Sequence, residues 1–82
     1  MVKVVFLENY KMTVSKIKDN SVRERLEKLL FKIKENPEIG KPMRFGRKGT
    51  REVYAGSFRL SYSYDKNSET IFILDFYHKD VQ

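Results

Sequence analysis

The sequence has no cysteine and no tryptophan, one histidine, two prolines and four glycines among its 82 residues. Without cysteine there can be no disulfide, no thiolate zinc site and no cysteine nucleophile. Small secreted domains usually lean on disulfide staples, so this lack points to a reducing, cytoplasmic setting. His78 alone cannot build a histidine-rich metal site, and no clustered carboxylates replace it, so neither a metal nor another cofactor is expected. Long apolar runs are also missing. Val4-Val5-Phe6-Leu7 and Ile71-Phe72-Ile73-Leu74 are too short to span a bilayer, and no membrane partner is expected. Glu8 and Lys11 follow the first run directly and leave no signal-peptide core. Gly46-Arg47-Lys48-Gly49 lacks the spacing of a phosphate-binding P-loop. No serine, histidine and aspartate order suggests a nucleophilic triad, and Glu52 and Asp75 lack a motif that would pair them in acid–base work.

What is present is positive charge. Seventeen Lys and Arg against eleven Asp and Glu give a net charge of +6, and the isoelectric point is about 9.7. Such a balance favours an anionic partner, nucleic acid first. Residues 1–82 are read as a single domain. A chain near this size buries only roughly 60% of its unfolded surface, which leaves room for one core and one binding face.

Hydrophobic periodicity sets the order of elements. Val2 to Leu7 is a β-branched and aromatic strand, apolar on both parities and so expected to be covered on both faces. Tyr10, Val14 and Ile17 mark a helix over roughly residues 9–18. Ser21 and Glu24 have the spacing of a capping box, in which each side chain satisfies an orphan N–H at a helix start. Val22, Leu26, Leu29, Leu30 and Ile33 then repeat at helical spacing up to Asn36-Pro37, where proline disfavours a further helical residue. Two helices so closely joined are expected to form an antiparallel hairpin. Strands follow at residues 51–55, 58–64 and 70–77, with an additional start near Met43. Gly56-Ser57 makes the turn between the first two, and the last strand is expected to be central. The fold class is α+β: an N-terminal strand, an antiparallel helix hairpin, then a three- to four-stranded antiparallel sheet.

Phe58, Leu60, Tyr62 and Tyr64 alternate with Arg59, Ser61 and Ser63, so Arg59 should face away from the helices. A planar guanidinium on a shallow polar face suits bidentate phosphate contact, though an exposed strand arginine paired with Glu52 or Asp75 would read the same. Lys41, Arg44, Arg47, Lys48 and Arg51 form a run without an acid and are the candidate RNA-backbone contacts. The helical basic residues alternate with Glu24, Glu27 and Glu35 and read as a solvated, ion-paired face. His78 could move a proton near neutral pH. Tyr54, Phe58, Tyr62 and Tyr64 could stack on bases, but the alternation assigns most of them to the core.

Lys34-Glu35-Asn36-Pro37, Gly40-Lys41-Pro42, Arg51-Glu52-Val53-Tyr54-Ala55-Gly56, Phe58-Arg59-Leu60-Ser61-Tyr62 and Ile73-Leu74-Asp75-Phe76-Tyr77-His78-Lys79 together resemble the RelE/ParE toxin superfamily. The resemblance covers nearly the whole chain and implies a RelE-like fold. It implies the toxin half of a toxin–antitoxin pair, with a small antitoxin protein as partner in a hetero-oligomer. In the RelE branch the toxin enters the ribosome and cuts mRNA by attack of the RNA's own 2′-hydroxyl on the adjacent phosphate, without a metal. Carried over, Arg59, Arg51, Lys79 and His78 would be the catalytic set. Arg59 would hold the phosphate and His78 would move the proton. Three positions depart from that pattern. Val53 stands where a second strand cation is common, and Met43 where a related branch has a carboxylate. The tyrosine often found past the final strand has no counterpart in Asp80-Val81-Gln82. The ParE branch, which inhibits a DNA topoisomerase by protein binding, and an inactive antitoxin-binding relative are the other readings.

Overall fold

The apolar repeat of residues 22–33 decides how the chain packs. The computed structural model describes residues 2–43 and 49–81. In it, α1 spans Glu8–Ser15 and α2 spans Asn20–Glu35. Leu26 and Ile33 of α2 and Tyr10 of α1 are buried against one face of a sheet, on Leu60, Tyr62, Ile71, Ile73 and Phe76. The sheet has five strands in the order β1-β5-β4-β3-β2. These are β1 (Lys3–Phe6), β2 (Lys41–Pro42), β3 (Arg51–Ala55), β4 (Phe58–Asp65) and β5 (Thr70–His78), and a 3₁₀ turn, Lys79–Val81, follows. The expected α+β fold is the one observed. The sheet is mixed, because β1 joins β5 in parallel while the other pairings are antiparallel. β5, with its continuous apolar run, is flanked on both sides, as a central strand requires.

Three local expectations change. β1 is an edge strand, and most of it is exposed instead of covered on both faces. The helix cap is Asp19, upstream of the Ser21 expected from the capping box. Its carboxylate accepts from the Ser21 amide at 2.9 Å and the Ser21 hydroxyl at 2.7 Å. Arg23 then reaches back, donating to the carbonyls of Ile17 (2.9 Å) and Val14 (3.3 Å) and closing the end of α1. The strand start expected at Met43 is replaced by β2 at Lys41–Pro42, and residues 44 and 45 lie outside the described residues.

The cap gives a pH test. Hydrogen bonds from Ser21 hold the Asp19 carboxyl below its ordinary range. A carboxyl with a depressed folded pKa stabilises the fold above its unfolded pKa and ceases to do so as pH falls through the folded value. Asp19→Ala is expected to melt at a lower temperature than wild type at neutral pH, with the gap closing in acid. A gap that persists well below the carboxylate range would show that the side chain stabilises by something other than its charge.

Candidate functional site

Register determines which side chains meet. The two-residue turn at Gly56-Ser57 pairs Ala55 with Phe58, Tyr54 with Arg59, Glu52 with Ser61 and Arg51 with Tyr62. β4 in turn pairs Arg59 with Tyr77, Ser61 with Asp75 and Phe58 with His78. Leu60 and Tyr62 are fully buried under the helices, so Arg59 faces the other way, as alternation requires. Tyr54, Arg59 and Tyr77 form one row across this open face, and Glu52, Ser61 and Asp75 form the next.

Arg59 is anchored there by its own turn. Its Nη1 donates to the carbonyls of Gly56 and Phe58, both at 3.1 Å. The guanidinium lies 4.1 Å from the centre of the Tyr54 ring, a cation–π contact. It pairs with neither Glu52 nor Asp75. Nε and Nη2 have no acceptor among the described residues, and these are the donors a phosphate could take. Tyr54 is 53% exposed and stands outside the core to which alternation assigns most of these aromatic residues. On the other side of Arg59, the Tyr77 hydroxyl donates to the carboxylate of Glu52, which is only 4% exposed. The open face therefore carries carboxylates as well as a cation.

Arg51 is not part of this face. It shares the side of Tyr62, where its Nη1 donates to the carbonyls of Glu38 (2.9 Å) and Gly40 (2.8 Å). The resemblance puts Arg51 in one set with Arg59, whereas register places the two on opposite faces of the sheet. Arg51 instead fastens the loop that leads into Lys41. Arg51→Ala should leave those carbonyls without their donor and destabilise the fold by about 1–2 kcal/mol. A thermal melt unchanged by that substitution would contradict the clasp. The Tyr62 hydroxyl completes it, accepting from the Gly40 amide (2.8 Å) and donating to the Pro37 carbonyl (2.9 Å). Burial pushes the Tyr62 phenol above its usual pKa, with the Gly40 amide pulling the other way.

His78 pairs with Phe58 and so stands on the helix-facing side, at the end of the sheet. Its ring meets Phe58 edge-on at 5.3 Å. Its Nδ1 accepts from the Asp80 amide at 3.2 Å and lies 3.4 Å from the Asp80 carboxylate. Lys79 is exposed, and its amide donates to Ser57 at 2.8 Å, which places its backbone beside the turn that anchors Arg59. Lys41 is exposed and pairs with Glu52, so it belongs to the open-face side. Arg44, Arg47 and Lys48 lie outside the described residues. Among the described residues no three His, Asp or Glu side chains group so as to hold a metal ion, and no helix is long and apolar enough to cross a membrane.

Sequence comparison supplies what the open face alone does not. The sequence model of the ParE toxin family of type II toxin–antitoxin systems matches residues 7–81. The chain belongs to this family. It is a toxin of a type II toxin–antitoxin system, of the RelE/ParE superfamily. Its fold is shared with the toxin–antitoxin complex RelBE2 from Mycobacterium tuberculosis, at 26% identity over 94% of this chain and 96% of that one, with a TM-score of 0.81. The intact Escherichia coli RelBE complex matches at 23% identity over 93% and 94%, with a TM-score of 0.78. A YoeB/ParE toxin from Agrobacterium tumefaciens matches at 14% identity over 94% and 98%, with a TM-score of 0.83. No match was found among curated proteins.

Proposed function

We propose that this toxin blocks translation in the cytoplasm as a metal-independent endoribonuclease, cutting ribosome-bound mRNA by attack of a 2′-hydroxyl on the adjacent phosphate. The observation that supports this reading is Arg59: a cation fixed between two tyrosines on an open sheet face, with donors left over for an anion. Attack at phosphorus builds negative charge on the phosphoryl oxygens, and a guanidinium already held in place stabilises it without reorganising. Tyr54 and Tyr77 offer ring faces to flanking bases. Lys79 and His78, at the end of β5, are proposed to serve the phosphate and the proton, His78 from the opposite face. Lys41, with Arg44, Arg47 and Lys48, would bind the RNA backbone. Arg51 enters this proposal only as the residue that holds the approach to Lys41.

The toxin is proposed to be masked by a small antitoxin, as in the complexes it resembles. A groove of about 340 Å³ between α2 and β1, lined by Val4, Phe6, Leu30, Phe31 and Ile71, offers apolar surface for an amphipathic helix. Phe31 is 63% exposed at its rim.

A second reading has one specific observation in its favour. Glu52 and Asp75 share the face of Arg59, and Arg51 is turned away, so the described residues do not assemble a cluster of cations there. A ParE-like toxin that inhibits a DNA topoisomerase by protein contact needs no such cluster. Two assays separate the readings: cleavage of mRNA on programmed ribosomes and supercoiling of plasmid DNA. Cleavage without any effect on supercoiling supports the nuclease; the reverse overturns it.

A further inference from the structure

Glu52 is the one buried carboxylate among the described residues. Burying a charged group is costly, and an uncharged residue opposite Ser61 would spare β3 that cost. Phosphate binding by Arg59 gives this carboxylate no task. Its partner is Tyr77, whose hydroxyl donates to Oε2. Tyr77 stands on β5 opposite Arg59 of β4, and Glu52 stands on β3 opposite Ser61. The Tyr77 side chain therefore crosses β4 between Arg59 and Ser61 to reach the carboxylate. Tyr54, over whose ring the Arg59 guanidinium lies, is two residues from Glu52 on the same face of β3, about 7 Å along the strand. Guanidinium and phenol thus lie side by side on the open face. A nucleotide held by its phosphate on Arg59 is long enough to set the adjacent ribose over the phenol.

We propose that Tyr77 and Glu52 form a proton relay that activates the 2′-hydroxyl. The inference rests on the nuclease reading and adds to it the base that the attack requires. As the 2′-oxygen bonds to phosphorus, its proton passes to the phenol oxygen of Tyr77, and the phenol's own proton passes to Oε2 of Glu52. The bond from phosphorus to the 5′-oxygen breaks, and that oxygen leaves with a proton donated by His78. The products are a 2′,3′-cyclic phosphate and a 5′-hydroxyl. Glu52 is left protonated and returns its proton to solvent. A neutral phenol is a weak base by itself. Here it gains a proton as it gives one up, so it never carries charge. The carboxylate is the stronger base, but it is buried and cannot reach the ribose except through Tyr77. Each residue supplies what the other lacks.

Glu52→Gln tests the relay, because the amide oxygen still accepts from the Tyr77 hydroxyl but cannot take its proton. Single-turnover cleavage on programmed ribosomes should fall on the order of 10²-fold or more, as when a general base is lost. Tyr77→Phe keeps the ring that could stack on a base and should lose as much. The double variant should be no slower than either, since a relay fails wherever it is cut. All three should melt like wild type and bind a message with one 2′-deoxyribose at the cut position as wild type does. Wild-type rates in Glu52→Gln would reduce Glu52 to a holder of Tyr77 and overturn the relay. Losses that multiply in the double variant, or that follow weaker binding of the deoxy message, would overturn it too. Should Glu52→Gln not fold, Tyr77→Phe decides alone, and full-rate cleavage by it overturns the relay. A wild-type protein that cuts no message overturns the nuclease reading, and the relay falls with it. A wild-type protein that cuts, beside variants that cut equally, overturns the relay alone.

Discussion

Replacing Arg59 with alanine is expected to slow mRNA cleavage by ~10²–10³, with ribosome binding nearly unchanged, because the guanidinium acts on charge that develops only in the transition state. The fold should tolerate the change. Arg59 stands on the open face, and what is lost is a cation–π contact with Tyr54 and two bonds to turn carbonyls, together about 1 kcal/mol. Arg59→Lys should recover only part of the rate, since an ammonium cannot grip the turn and present a planar pair of donors together. Single-turnover cleavage on programmed ribosomes, read beside a thermal melt, checks both halves. Full activity in Arg59→Ala would remove the residue from the mechanism; loss of the fold would mean that the residue is structural first.

The largest effect on stability is expected at Gly40. A Cβ there would lie 2.7 Å from both Cε1 and the hydroxyl of Tyr62, and 3.0 Å from the Arg51 Cβ. Tyr62 is completely buried, and its hydroxyl is tied to Gly40 and Pro37, so the ring cannot swing aside without breaking the clasp. Gly40→Ala should destabilise by about 3 kcal/mol, as an overpacked site does, and lower the melting temperature by roughly 15 °C. Tyr62→Phe is the milder companion. It leaves the Gly40 amide and the Pro37 carbonyl without their partner and should destabilise by about 2 kcal/mol. A Gly40→Ala protein that melts like wild type would show that the loop at residues 37–42 yields freely and that Arg51 and Tyr62 do not hold it.

Much of this arrangement is legible in the amino-acid sequence. The strict alternation of residues 58–64 places Arg59 on the open face and Leu60 and Tyr62 in the core. The position of Arg51 is legible too, but only through the turn. A two-residue turn at Gly56-Ser57 forces Arg51 opposite Tyr62, whereas motif resemblance groups it with Arg59. β5 is harder, because its register against β4 shifts at Ser61–Tyr62. Leu74 becomes an extra residue, and Asp75 and Tyr77 change phase relative to Ile71 and Ile73. Nothing in Ile71-Phe72-Ile73-Leu74 marks where the phase slips, so alternation alone cannot place Tyr77 beside Arg59. At the start of α2, Asp19 and Ser21 are both good capping residues. The choice between them depends on how α1 ends, which Arg23 helps to decide from outside the motif.

The most direct test of cleavage by 2′-hydroxyl attack uses two mRNAs on programmed ribosomes, identical except for one 2′-deoxyribose at the cut position. The all-ribose message should be cut, leaving a 2′,3′-cyclic phosphate, while the deoxy message should bind equally and stay intact. Cleavage of both messages, or of neither, would contradict the proposed mechanism.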